Sequence, residues 1–319
     1  MMQTVMITSL PMNAFAARSN ATRSPRPRVG LATGCAIALQ IAILAANCRA
    51  ADLPPAASSH ARAELLADAE SIEPGMTFLL AVRLVMEDGW HVNWVNPGDA
   101  GLAPSIAWKL PAGFRAGLLH WPMPGRFVTG PLVIFGYAGE VVLATEVRVP
   151  EGLSPGHDVE LTADVSWLAC VEACVPGSAS VTMRLPVEAK ARPNVDATRS
   201  IEAARARWPA PSGAWNVQAR VENSTWLVLD IQTAAETTPP LEGLFFFPYD
   251  QGVIENAAAQ TTSRSVGTIG RAAYQLRVER ARMPDGTLSR LSGVLVSASG
   301  WSPGDGPAAI EVDVPIAGR

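Results

Sequence analysis

The sequence is poor in the residues and motifs on which most enzyme classes depend. Its 319 residues include four cysteines, four histidines and three tyrosines. No G-x-S-x-G element, zinc-type histidine cluster or phosphate-binding loop occurs, which argues against a serine hydrolase, a zinc enzyme and a nucleotide-binding protein. There is also no C-x-x-C motif in a βαβ pattern, so a thioredoxin-type site is excluded.

The chain also lacks an excess of positive charge and, after residue 50, any long hydrophobic run. Its 25 basic and 29 acidic residues give a net charge of −4. A mildly acidic chain without a basic patch is not expected to bind nucleic acid or anionic lipid. The apolar stretch 244–247 is far too short to cross a bilayer, so we expect no membrane span in the mature chain.

The first 50 residues have the composition of a secretory signal. Residues 1–28 carry four arginines and no acidic residue, and an apolar stretch follows over 29–46. Small residues around Ala50 offer a cleavage site, so we predict a signal peptide over 1–50. Its removal takes away five arginines and leaves a net charge of −9. Lipidation at Cys48 and retention of the stretch as an uncleaved anchor are the alternatives.

Strand patterns dominate the chain after the signal. Apolar and polar side chains alternate in segments bounded by Gly, Pro and Asp, most clearly over 159–167 and 180–186, and similar β-rich runs cover 77–85 and 140–149. Alternation with a period of two is typical of half-buried antiparallel strands. Short strands without interleaved helices predict an all-β fold in which two antiparallel sheets form a β-sandwich.

The pattern changes near residue 190 and then returns to strands. Ile201, Ala204 and Trp208 share a helical face, which predicts a linker with one short helix. Strand patterns resume from residue 215 and predict a second small β domain without cysteine or histidine. The predicted organisation is a signal peptide (1–50), a flexible segment (51–65), a first β-sandwich (66–190), a linker (191–213) and a second β-sandwich (214–319).

Cys170 and Cys174 are the main chemical feature of the predicted mature chain, because Cys35 and Cys48 fall in the signal. On a straight strand, residues four apart lie about 13 Å from each other, whereas a disulfide requires Cα atoms within about 7 Å. The chain must therefore turn between the two cysteines, either in a hairpin with a loop over 171–173 or in one helical turn.

A disulfide that closes so short a loop adds little to the stability of the fold, about 2 kcal/mol from chain entropy. A short bridge at a turn instead suits exchange with the thiol of a partner, although a purely structural disulfide stays open as an alternative. No Lys, Arg or His lies nearby in the sequence to lower a thiol pKa, and Glu172 opposes thiolate formation. We therefore expect a dithiol that reacts through docked partners.

Four separated motifs then point to a family. W-H-V-N-W-V-N-P-G-D-A-G over 90–101, W-P-M-P over 121–124, F-G-Y-A-G-E over 135–140 and V-S-W-L-A-C-V-E-A-C-V-P-G over 165–177 occur in this order. With them the chain resembles the periplasmic amino-terminal domain of DsbD/ScsB-type thiol:disulfide interchange proteins. The resemblance runs from about residue 66 to 190, and the second β domain matches more loosely.

The resemblance implies an immunoglobulin-like sandwich with a redox-active disulfide and no cofactor. Cys170 and Cys174 match the exchanging pair of the family, and Phe135 and Tyr137 match the aromatic cap loop that shields it. The implied partners are periplasmic thioredoxin-like proteins. The family's membrane electron conduit and carboxy-terminal thioredoxin-like domain have no counterpart in the sequence. We therefore expect a module that passes electrons to or from these partners: either a protein-disulfide reductase component that a separate membrane electron-transfer protein reduces, or an oxidant or sink that works in the other direction.

The family also includes members linked to copper tolerance, which suggests an alternative function. Cys170, Cys174 and His91 are soft or borderline ligands that suit Cu(I), and His120 and Met123 extend this set. The alternative is a copper-binding or protein-docking β-sandwich whose disulfide is purely structural. An assembly or adhesion domain is a third possibility. Apart from a role in metal binding, His91 and His120 are expected to be packed residues beside tryptophans.

Overall fold

The computed structural model of the protein describes residues 60–233, 240–266, 272–282, 288–302 and 306–317. The predicted signal peptide and residues 51–59 of the predicted flexible segment lie outside these ranges. Within them, no helix has the length and hydropathy needed to cross a membrane.

The first β domain contains eleven strands whose alternating residues face a core or solvent. In order along the chain they are β1 (Ala61–Ala67), β2 (Ala69–Ser71), β3 (Thr77–Met86), β4 (His91–Gly98), β5 (Ser105–Lys109), β6 (Arg115–His120), β7 (Gly125–Thr129), β8 (Leu132–Ala138), β9 (Glu140–Arg148), β10 (Asp158–Cys170) and β11 (Cys174–Pro186). Strand β10 shows the pattern clearly, because Leu161, Ala163 and Val165 are buried and the residues between them are not.

All of these strands except β2 form two antiparallel sheets that face each other. One sheet has the order β1-β3-β9-β6, and the other has the order β11-β10-β4-β8-β7 with β5 paired to β10. Side chains from both sheets fill the space between them, including Leu143 and Val82 from the first and Trp94, Phe135 and Val165 from the second. This arrangement confirms the predicted immunoglobulin-like antiparallel β-sandwich.

The short strand β12 (Arg192–Pro193) pairs with β2, and the helix Val195–Arg205 follows it. The side chain of Asn194 caps this helix by accepting a hydrogen bond from the backbone N–H of Ala197. Ile201 and Ala204 are buried against β3 and β9 of the first sandwich. The helix lies where the sequence predicts it, and its apolar face packs against the outside of one sheet.

The second β domain is one seven-stranded sheet in the order β15-β18-β19-β13-β14-β17-β16. Its strands are β13 (Trp215–Glu222), β14 (Trp226–Thr233), β15 (Phe245–Pro248), β16 (Thr261–Val266), β17 (Ala272–Glu279), β18 (Arg290–Val296) and β19 (Ala309–Ala317). All the pairs are antiparallel except β13 with β19. Its own core contains Leu229, Phe246 and Trp301.

Aromatic side chains join the second β domain to the first. The ring of Phe247 makes edge contacts with Phe135 and Trp94, at centroid distances of 5.0 and 6.2 Å. The ring of Tyr249 lies 5.3 Å from that of Trp94. Phe247, Val294 and Ala309 thus belong to the same hydrophobic cluster as the first sandwich, so the two β domains share buried surface.

Candidate redox site

The two cysteines close the end of the longest hairpin in the described residues. Strands β10 and β11 pair in continuous register from Asp158–Pro186 to Cys170–Cys174, and residues 171–173 form the loop. The Cα atoms of Cys170 and Cys174 are 4.1 Å apart and their sulfurs form a disulfide. Of the two turns that the spacing allows, the hairpin is therefore the one that forms.

Pairing with β4 sets the surroundings of the disulfide. Cys170 is in register with His91 of β4, and His91 is in register with Ala138 of β8. Directly paired residues project from the same face of a sheet, so Cys174, Cys170, His91 and Ala138 form one row across four strands. We call these four residues the disulfide row.

The two sulfurs of the disulfide row differ in their access to solvent. Cys170 is 4% exposed, because strands β11 and β4 flank it on both sides. Cys174 is exposed, because β11 is the edge strand of its sheet in the part of the chain that the structure describes. An incoming thiol therefore reaches Cys174 more readily than Cys170.

His91 is a buried histidine whose Nε2 atom has no hydrogen-bond partner among the described residues. Burial lowers the pKa of its imidazole below the ordinary value, because the charged form is poorly solvated there. The ring is therefore neutral at pH 7. Unpaired buried polar atoms are uncommon and call for a structural or chemical reason. No histidine lies near the cysteines along the chain, and strand pairing places His91, one of the copper candidates, beside Cys170.

Phe127 of β7 covers this histidine. Its ring stacks on the His91 ring with centroids 5.1 Å apart and an interplanar angle of 7°. Strands β7 and β8 form a hairpin that pairs with β4 through β8. The sequence analysis missed Phe127, although the run Arg126-Phe127-Val128-Thr129 before Gly130-Pro131 is a recognisable strand and turn pattern.

The cap-loop candidates Phe135 and Tyr137 lie elsewhere. Both are buried in the core between the two sheets rather than on the face that carries the disulfide row. The hydroxyl of Tyr137 donates a 2.7 Å hydrogen bond to the carbonyl of Pro122, and burial raises its pKa well above the usual value. The aromatic ring that the structure places beside the row is that of Phe127.

The remaining copper candidates are not brought to the cysteines. His120 lies on β6 in the opposite sheet and stacks on Trp208 at 4.0 Å, and the backbone of Met123 bonds to Arg207. The sulfurs of Cys170 and Cys174 are joined to each other, whereas Cu(I) binds thiolates. Among the described residues, no group of three or more His, Cys, Asp or Glu side chains is arranged to hold a metal ion. Copper binding stays a prediction.

Apolar side chains are exposed in the loop of the β10–β11 hairpin and beside the hairpin. Leu102 is 66% exposed, and Val171 in the hairpin loop is 38% exposed. A hollow beside the hairpin is lined by Leu102, Leu168 and Pro176 from the first β domain and by Gln251 from the second. Residues from both β domains therefore border the surface next to the disulfide.

Comparisons with known proteins agree with this geometry. The family model described as "Thiol:disulfide interchange protein DsbD, N-terminal" matches residues 62–186, which include both cysteines. The crystal structure of the N-terminal periplasmic domain of ScsB from Proteus mirabilis is 20% identical, with a TM-score of 0.55, covering 84% of this chain and 97% of that chain. This likeness shows the fold over both β domains.

A second solved structure is the DsbD N-terminal domain of Neisseria meningitidis in the reduced form. It is 16% identical, with a TM-score of 0.25, and covers 46% of this chain and 99% of that chain. Among curated protein sequences, none matches the chain significantly.

Proposed function

Because residues 62–186 match the family model of the DsbD N-terminal domain, we propose that this protein is a periplasmic thiol–disulfide exchange module. In it, the Cys170–Cys174 pair passes electrons to or from thioredoxin-like partners. The observation that carries this proposal is the disulfide at the tip of an edge hairpin, with one sulfur exposed and the other buried. Such a bridge adds little stability and is open to attack from one side.

The exchange proceeds through a mixed disulfide. A thiolate of the partner attacks the Cys174 sulfur, the bond between Cys174 and Cys170 breaks, and Cys170 leaves as a thiolate that takes up a proton. The second thiolate of the partner then attacks its own sulfur in the mixed disulfide and releases Cys174, which is protonated in turn. Two electrons and two protons have then passed from the partner dithiol to this protein, and the reverse sequence reduces an oxidised partner.

Access selects Cys174 as the attacked sulfur. The incoming sulfur, the attacked sulfur and the leaving sulfur lie nearly in line during exchange. Attack on Cys174 therefore comes from the open edge of β11, whereas attack on Cys170 would come from the side that His91 occupies. Because Phe127 covers His91, this second approach is closed.

His91 is suited to stabilise the reduced form. The buried Nε2 of His91 is unpartnered while the cysteines are oxidised. When exchange separates the sulfurs, Cys170 becomes a thiol or thiolate next to this imidazole in the row. A hydrogen bond between the two groups would satisfy both of them, since an unpaired buried polar atom costs free energy. We therefore assign to His91 the stabilisation of the reduced form of the Cys170–Cys174 pair.

The partners follow from the surface and from the chemistry. The exposed apolar side chains of Val171 in the hairpin loop and of Leu102 in the hollow beside the hairpin offer contacts for transient docking of a thioredoxin-like protein. Electrons from the cytoplasm require a carrier across the membrane, and we assign this step to a separate membrane protein. In this scheme the protein is the periplasmic component of a protein-disulfide reductase.

Trapping of mixed disulfides tests the proposal. The Cys170→Ser variant keeps the exposed Cys174 and should trap a periplasmic thioredoxin-like protein as a covalent complex on non-reducing gels. The Cys174→Ser variant keeps only the buried Cys170 and should trap several-fold less. The double variant is the control. Failure of both single variants to trap any partner would contradict the proposal.

The reduction potential of the pair provides an independent check. Exchanging dithiols have potentials between about −180 and −270 mV, whereas structural disulfides lie below about −300 mV. We expect the mature protein, equilibrated against glutathione or a thioredoxin-like couple, to fall in the first range. A value in the second range would favour the structural disulfide of the alternative function.

A further inference from the structure

We propose that the second β domain is part of the redox site, and that Asn256 clamps the β7–β8 hairpin that carries Phe127. Asn256 lies in the segment between β15 and β16, and it is a buried polar residue, 9% exposed. The consequence of this clamp for electron exchange rests on the proposed function, whereas the clamp itself is inferred from hydrogen bonds alone.

The first half of the clamp runs through Asp99, directly after β4. One carboxylate oxygen of Asp99, Oδ2, accepts a 2.7 Å hydrogen bond from the backbone N–H of Val133 in β8. The backbone N–H of Asp99 donates to the carbonyl of Val133 at 2.9 Å. The other oxygen, Oδ1, accepts a 2.8 Å hydrogen bond from Nδ2 of Asn256. A single carboxylate therefore links β8 of the first domain to the second domain.

The second half of the clamp reaches β7. The backbone carbonyl of Asn256 accepts a hydrogen bond from Nη2 of Arg126 at 3.4 Å. Arg126 immediately precedes Phe127, the residue stacked on His91. Asn256 thus holds β8 through Asp99 with its side chain and β7 through Arg126 with its backbone.

The segment that carries Asn256 is itself anchored at two points that precede this residue. At the first, Nδ2 of Asn96 in β4 donates to the carbonyls of Pro248 and Asp250, at 2.8 and 3.1 Å. At the second, Ile254 forms a bridge with Arg280, and the N–H of Glu255 donates to the carbonyl of Glu279. Because this segment is held in place, the hydrogen bonds of Asn256 to Asp99 and Arg126 restrain β8 and β7. The second domain therefore limits the movement of the β7–β8 hairpin.

This restraint controls access to the buried sulfur, that of Cys170. Phe127 covers His91, and His91 flanks Cys170. Movement of the hairpin away from β4 uncovers this side of the row, and the clamp opposes that movement. Loosening the clamp should therefore raise the rate at which a small thiol reagent reaches Cys170, whereas the open approach to Cys174 stays as it is.

The test is the rate at which N-ethylmaleimide alkylates the thiol of Cys170 in the Cys174→Ser variant of the mature chain, with and without Asn256→Ala. Samples are quenched with excess dithiothreitol and the adducts are counted by mass spectrometry. Loss of one hydrogen bond shifts the closed-to-open equilibrium of the hairpin, so we expect the rate to rise about fivefold. The matched control is Asn216→Ala in the same Cys174→Ser chain, which removes an exposed asparagine from β13 and should leave the rate unchanged.

The outcomes are distinct. A faster rate in Asn256→Ala with an unchanged Asn216→Ala supports the clamp. An unchanged or slower rate overturns it, even if the melting temperature of Asn256→Ala falls, because that result shows a purely structural residue. If Asn256→Ala does not fold, Arg126→Ala decides by the same criterion, since Arg126 is exposed. N-ethylmaleimide needs no protein partner, so failure of the trapping experiment leaves this result unaffected.

Discussion

The disulfide row brings one exposed sulfur, one buried sulfur and one unpartnered imidazole into register. The exposed Cys174 determines which sulfur a partner attacks. The imidazole of His91 affects the stability of the reduced state, because Cys170 has a free thiol only when the disulfide is broken. The two effects are separable, since the first concerns the rate of exchange and the second concerns its equilibrium.

Replacement of His91 tests the second effect. In His91→Phe the ring volume is nearly kept and the hydrogen bond to reduced Cys170 is lost. The reduced form is destabilised, so the reduction potential of the pair should become more negative. A bond worth about 1.5 kcal/mol corresponds to a shift of about 30 mV for this two-electron couple. The measurement is redox equilibration against glutathione.

His120→Phe is the matched control for this experiment, because His120 lies on the opposite sheet and stacks on Trp208. It should keep the wild-type potential. An unchanged potential in His91→Phe would show that the imidazole is only a packing residue.

At the scale of elements, the close approach of β4 and β8 sets the position of the hairpin. A Cβ atom on Gly136 of β8 would lie 2.2 Å from the carbonyl oxygen of Val92 in β4. Both atoms belong to packed strands, so neither can move cheaply. Only glycine lets these two strands pair at this separation.

Gly136→Ala should therefore destabilise the protein by about 1–3 kcal/mol, the usual cost of overpacking a buried site. Urea denaturation measures this change. Gly152→Ala is the control, because a Cβ on Gly152 meets nothing within 4 Å and should leave stability almost unchanged. Equal stabilities for the two variants would contradict the close approach.

At the scale of the whole molecule, the two β domains are joined by a shared core rather than by a linker alone. Phe247 of the second domain packs between Phe135 and Trp94 of the first. Asn96 and Asn256 add hydrogen bonds between the domains. A core shared in this way favours cooperative unfolding.

Calorimetry of the mature protein should accordingly give one unfolding transition. Phe247→Ala leaves a cavity between the domains and should destabilise the protein by about 3–5 kcal/mol. Leu118→Ala provides the control, since Leu118 is 87% exposed and its truncation removes little packing. Two separated transitions in the wild-type protein would show that the domains unfold independently.

The local features of this protein were predictable from the sequence by itself. Alternating side chains identify β10 and β11 because a half-buried strand must turn every second residue toward the core. The apolar face of Ile201 and Ala204 identifies the helix. The spacing of Cys170 and Cys174 requires a turn between them, although it allows both a hairpin and a helical turn. Each of these inferences depends on residues close together in the chain.

The surroundings of the disulfide were decided by the tertiary structure alone. His91, Phe127 and Asn256 are far from the cysteines in sequence, and strand order and register bring them to the disulfide row or to the hairpin beside it. Register depends on how whole sheets bury their faces, and a shift of one residue moves every side chain of a strand to the opposite face of the sheet. The motif around Phe135 and Tyr137 could not show by itself which aromatic residue stands beside the disulfide row. Packing between the sheets decides that.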